Sequence, residues 1–211
     1  MRFIELDDLV KRVRTNATAC PLPLAERNII EATREICEKF AVWRDTDEAT
    51  FTDADPCEYV CAIQSAAIVR IEKARFNGQD LTPVTAAWLD AHYPEWDDAK
   101  AGQKGSPEFY AQLQPNTVQV YPRKAGRLWM RLWLKPSLEA DVLPEILIEQ
   151  YGELIALGAT GRVLMTPNID FANPQLGSSM LGKFAEDLEK AKVKAAKSQT
   201  GARLRTTPHL F

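Results

Sequence analysis

The sequence predicts an α+β fold: a helical bundle formed by the N- and C-terminal segments, a β-rich insertion between them, and an extended C-terminal tail. Three observations carry this reading. Helical periodicity lies in the first and last parts of the chain, where Gly177, Leu181, Phe184, Leu188, Ala191 and Ala195 follow a 4-3-4-3-4 spacing. The middle alternates instead: Leu128, Met130, Leu132 and Leu134 fall on one face of a strand, and Arg127, Trp129, Arg131, Trp133 and Lys135 on the other. The last stretch, SQTGARLRTTPHLF, has turn residues, arginines and an apolar end but no periodicity. The expected division is 1-43 for the first bundle helices, 44-140 for the insertion, 141-197 for a C-terminal helical hairpin and 198-211 for the tail.

Composition bounds the function. With 211 residues, 45% of them apolar and 26% charged, the chain is long enough to bury a sizeable core. No run of about 18 apolar residues is present, so no membrane partner is expected. The opening MRFIELDDLVKRV is acidic and amphipathic, which reads against a secretory signal. A net charge of -3 argues against a generally basic nucleic-acid binder but leaves room for a local basic face.

In chain order, Ile4 to Val13 suggests a short amphipathic helix. Pro23 to Trp43 predicts a longer one, with Ile29, Thr33, Ile36, Cys37 and Phe40 buried. Its wet side offers Arg27–Glu31, Arg34–Glu38 and Glu35–Lys39 pairs one turn apart. Arg44 to Glu58 is acidic and reads as turn-rich. Ala66 to Phe76 reads as a strand, followed by Asn77-Gly78, a strong hairpin turn signal. Pro83 to His92 suggests a short helix, and 93–107 a loop. Thr117 to Tyr121 and Arg127 to Lys135 read as a second hairpin, turning through Pro122 to Gly126.

Asp141 and Pro144 then open a long apolar helix. It holds Gly152, Gly158 and Gly161, each costing roughly 0.5–1 kcal/mol relative to alanine, so close approach by a neighbour is expected. Thr166-Pro167 ends it near Met165. Asn173-Pro174 caps and starts the last helix, which runs to about Lys197.

No catalytic constellation is legible, and the chain reads as a non-enzyme. His92 and His209 are the only histidines and neither sits near a nucleophile in sequence. Cys57 and Cys61 are spaced C-x3-C, but too few further ligands exist for a zinc site, and all four cysteines read as reduced thiols. Gly158-Ala159-Thr160-Gly161 lies inside a helical pattern, unlike a nucleotide loop. No cofactor or metal is expected. The Arg/Trp strand face is the most unusual surface. Packing across strands or between subunits, through Trp129, Arg131 and Trp133, is favoured by the enrichment of such residues in interface cores. The alternative is a nucleic-acid-binding module, with Arg127, Trp129, Arg131 and Trp133 stacking on bases.

The order of segments resembles the head-to-tail adaptor, or connector, proteins of tailed bacteriophages, including the tail tubular protein A type. The residues carrying the likeness are CPLPLAERNIIEATREICEKFAVW, then FNGQDLTPV, SPEFY and TVQVYP. Most specific is LPEILIEQYGELIALGATGRVLMTPNIDFANPQLGSSMLGKFAEDLEKAK, followed by the tail ending TTPHLF. Phe171 stands where the family often has tryptophan. The resemblance implies a non-enzymatic virion protein at the head-tail interface, present in the host cytoplasm before assembly. It implies a ring of this chain, commonly a dodecamer, between the portal protein and a downstream tail or nozzle protein. DNA would pass through the lumen without sequence-specific binding. The tail would reach the portal, with Arg203, Arg205, Pro208, Leu210 and Phe211 as docking residues. Gly158 and Gly161, with the Arg/Trp face, are the candidate subunit-packing residues.

Overall fold

The computed structural model describes residues 1–52, 58–97, 105–167 and 169–197. In chain order the elements are β1 (Phe3–Glu5), α1 (Asp7–Asn16), α2 (Leu22–Lys39), β2 (Arg44–Phe51), β3 (Glu58–Val60), β4 (Ala66–Phe76), β5 (Gln79–Asp80), β6 (Thr82–Pro83), α3 (Ala86–His92), β7 (Phe109–Ala111), β8 (Thr117–Tyr121), β9 (Gly126–Pro136), β10 (Val142–Pro144), α4 (Glu145–Leu164) and α5 (Pro174–Lys197). This is an α+β chain, as expected. It divides into two compact units: Met1–Val42 with Pro136–Phe211, and Trp43–Lys135.

In the first unit α4 touches α1, α2 and α5. It is therefore apolar on most sides rather than along one stripe. Ile155, Ala159 and Val163 are fully buried, in one core with Leu9, Val13, Ile29, Ile36, Phe184 and Leu188. The two threonines this buries are satisfied within their own helices. Thr160 donates to the Ala156 carbonyl at 2.7 Å and Thr33 to that of Ile29 at 2.8 Å. Residues 3–5 form a strand instead of the first turn of a helix, because they pair antiparallel with Val142–Pro144. The first helix starts at Asp7, with Asp7 and Asp8 favourably placed at its positive end. The second begins at Leu22, with proline in its first turn, and stops at Lys39, where Phe40 is already extended. Of the pairs expected on it, Arg27–Glu31 forms at 3.0 Å, but Glu35 reaches across to Arg162 of α4. α4 starts at Glu145, since Pro144 is still extended at the end of β10, and closes at Met165. Asn173 Oδ1 accepts the Leu176 N–H at 3.1 Å, the cap expected at the start of α5.

The second unit holds two four-stranded sheets, ordered β2-β9-β4-β5 and β3-β8-β7-β6. The Asn77-Gly78 turn has φ of 48° and 86°, the geometry of a two-residue hairpin that both residue types tolerate. It joins β4 to β5 as expected. Two expectations fail here. Thr117–Tyr121 and Arg127–Lys135 do not form a hairpin, because β8 pairs with β3 and β7 while β9 pairs with β2. The segment between them is held by distant partners. Arg123 donates to the Asp97 carbonyl at 3.0 Å, and a Cβ on Gly126 would lie 2.6 Å from the Phe76 ring. Those contacts carry the chain from one sheet to the other. Residues 44–51 are likewise a strand, not an acidic turn. Asp45 and Asp47 point toward the inner face, where Asp47 accepts the Tyr59 hydroxyl, and both carboxylates also cap the next backbone N–H at 2.8 Å. Aspartate is depleted in strands because it competes for backbone groups, so the composition alone reads as turn.

Candidate functional site

Alternation along β9 builds the first surface. Leu128, Met130, Leu132 and Leu134 are completely buried, and the side chains between them face outward. The β2 register sets Arg44 opposite Trp133, Thr46 opposite Arg131 and Glu48 opposite Trp129. Glu72 of β4, only 19% exposed at its side chain, accepts from Arg44 at 2.8 Å and from Arg131 at 3.1 Å. With Arg70 and Trp133 these residues line an open cavity of about 680 Å³. Further along the face, Arg127 pairs with Glu48. Arg75 sits over the Trp129 ring at 5.5 Å and also binds Asp80 at 2.7 Å. Lys73 joins Asp80 at 2.9 Å, and hydrogen bonds from these two cations hold the Asp80 carboxyl below the usual carboxylate range. The expected Arg/Trp face therefore exists, and its cations are interleaved with carboxylates.

The second surface is the contact between α4 and α5. A Cβ on Gly158 would lie 2.7 Å from the Phe184 ring, and one on Gly161 would lie 2.9 Å from Leu181. A Cβ on Gly177 would lie 3.0 Å from the Gly161 carbonyl oxygen. In this chain the neighbour that these small residues admit is its own α5. Arg162 locks the junction: its guanidinium lies 5.4 Å from the Phe184 ring centre and pairs with Glu35. The sequence signalled the close approach but not the partner. The expected docking residues Arg203, Arg205, Pro208, Leu210 and Phe211 lie outside the described residues, as does Cys57.

Among the described residues no group of three or more His, Cys, Asp or Glu side chains gathers as a metal site. His92 is exposed, stacked on Trp88 at 4.1 Å between ring centres, with Nδ1 2.8 Å from the Trp88 carbonyl. No helix is long and apolar enough to cross a membrane among the described residues. One polar network that sequence reading missed is Tyr59–Asp47–Cys61, because its members meet only when β2 and β3 are placed. Burial, reinforced by the hydrogen bond to Asp47, pushes the Tyr59 phenol far above its ordinary value of 10.0. Burial also raises the Cys61 thiol. Both groups hold their protons more tightly in the folded chain. Each group's contribution to stability is intact below its own unfolded value, 9.0 for the thiol and 10.0 for the phenol, and is lost as pH rises beyond it. Urea midpoints are thus expected to fall above about pH 10, and to fall less steeply in Tyr59→Phe.

The described surfaces are thus a glycine-lined helix contact and a mixed-charge Arg/Trp sheet face. The family described as SU10 adaptor protein matches residues 4–207, and the chain belongs to it. It is a phage structural adaptor, a virion component. A second similarity is short. The clustered mitochondria protein homolog of Phaeosphaeria nodorum is 37% identical over 62 residues, 28% of this chain and 4% of that protein. The chain thus spans a small fraction of that relative's length.

Proposed function

We propose that the chain forms a closed, dodecameric ring between portal and tail, giving DNA a conduit and the tail an attachment site. The observation that carries this is the adaptor-family match across residues 4–207. In this reading 1-43 and 141-197 are the helical bundle of the ring body and 44-140 is its insertion. A closed ring needs heterologous contacts, with one patch meeting a different patch on the next copy. Trp129, Arg131 and Trp133 supply one such patch. Gly158 and Gly161 already seat α5 within the chain, so they set the shape of the ring body rather than meeting the next copy. The test is quantitative mass spectrometry of purified particles. A fixed ratio of this chain to portal subunit near one supports the ring, and absence from particles overturns it.

The tail 198-211 is the proposed portal contact, through Arg203, Arg205, Pro208, Leu210 and Phe211. A segment that orders only on its partner contributes affinity solely in the docked state. A chain ending at Lys197 is expected to bind portal rings about tenfold or more weakly. Unchanged affinity in a pull-down titration would remove the tail from the docking surface.

A further inference from the structure

A groove of about 350 Å³ opens between α4 and α5. Tyr151, Leu154, Leu157 and Ala191 line it, packed against the core but only partly buried themselves. Four charged side chains stand among them. Two are already paired, Glu153 with Arg12 and Asp187 with Lys190. The other two, Lys183 and Lys194, are exposed and make no ion pair among the described residues. The groove is therefore an apolar trough with two ammonium groups in need of acceptors.

A matching feature stands elsewhere on the same compact unit. Leu138 is the most exposed large apolar side chain among the described residues, at 73%. An exposed leucine is ordinary in itself, but the setting of this one is specific. The Ala140 N–H donates to the Ser137 carbonyl at 3.3 Å, so Leu138 and Glu139 form the tip of a tight turn. Both ends of the turn are anchored. Pro136 and Ala140 are buried, and Arg34 of α2 donates to the Pro136 carbonyl. Glu139 and Asp141, the next two acidic residues, are exposed and make no ion pair among the described residues. A leucine held out by a fixed turn loses little conformational freedom when it docks. Turn and groove thus correspond in kind: an apolar side chain with two unpaired carboxylates, and an apolar trough with two unpaired ammonium groups. The exposure of Leu138 excludes its seating in the groove of its own chain.

We infer that the Leu138 turn of one copy seats in the α4–α5 groove of the next, with Glu139 and Asp141 facing Lys183 and Lys194. Turn and groove are different patches, so the contact is heterologous, as a closed ring requires. The inference rests on the ring reading above and specifies which residues join one copy to the next. An apolar centre within a polar rim is the anatomy of such interfaces.

The test is sedimentation velocity on the full chain over a concentration series at about 50 mM salt, where exposed charges are weakly screened. Wild type is expected to self-associate, and Leu138→Ser to do so about tenfold or more weakly. Because Leu138 is exposed, the unfolding curve of that variant should overlay wild type. Two charge reversals are expected to weaken association by a similar factor: Lys183→Glu with Lys194→Glu in the groove, and Glu139→Lys with Asp141→Lys in the turn. A one-to-one mixture of the two reversed chains should regain wild-type association. In it each reversed turn meets a reversed groove, and each native turn a native groove. Recovery in the mixture also shows that both reversed chains are folded. The inference is overturned by a wild type that stays monomeric, by Leu138→Ser associating as wild type does, or by a mixture that associates no better than its components. The particle ratio to portal is read independently. A chain present at that ratio whose Leu138→Ser form associates normally keeps the ring and loses this contact.

Discussion

Phe184→Ala is expected to destabilise the first unit by about 3–5 kcal/mol, toward the lower end of that range. Phe184 is 3% exposed and fills the space left open by Gly158, whose missing Cβ would lie 2.7 Å from its ring. Truncation removes the transfer energy of a phenyl group and opens a cavity that two helices meeting at glycines cannot easily collapse. Two features moderate the loss. Arg162 Nη1 is buried without a hydrogen-bond partner among the described residues, and the new space admits water to it. The cation–π contact at 5.4 Å disappears at the same time, so the relief is partial. The reciprocal change, Gly158→Ala, improves helix propensity by roughly 0.5–1 kcal/mol but overpacks the contact by about 1–3 kcal/mol. The double change Gly158→Ala with Phe184→Leu should be less damaging than the sum of the singles. Urea midpoints for all four chains measure that coupling. Strict additivity would mean that α5 does not seat on Gly158.

On β9, two adjacent residues are expected to behave in opposite ways. Leu132→Ala should cost about 2–5 kcal/mol, because Leu132 is completely buried in the second unit. Arg131→Ala should cost under about 1 kcal/mol: its side chain is 49% exposed and its pair with Glu72 is shared with Arg44. Removing Arg131 leaves Glu72 with a partner, so no buried charge is orphaned. The contrast tests the register directly. A one-residue slip of β9 against β2 would exchange the two faces and reverse the two effects. Thermal unfolding of the two variants distinguishes the outcomes, and equal losses would contradict the antiparallel pairing of Thr46 with Arg131.

Local order determined much of this protein. The spacing from Gly177 to Ala195 set α5, the Asn173-Pro174 step set its cap, and Asn77-Gly78 set the β4–β5 turn. Alternation from Arg127 to Lys135 assigned each side chain of β9 to its face. These signals are legible because helix, strand and turn periods are properties of neighbouring residues. The choice of partners was decided only by tertiary structure. A period of two says which side chains share a face, but any strand of matching length can lie alongside, so β9 took β2 and β4 rather than β8. The acidic residues 44–51 became a strand because Tyr59 and backbone N–H groups satisfy their inward carboxylates, and nothing local announces that. The small residues of α4 foretold a close approach. Only the packed core identified α5 as what approaches Gly158 and Gly161, while Gly152 meets Leu9 and Arg12 of α1 at ordinary contact distance, since a missing Cβ defines a space and its occupant comes from elsewhere in the chain.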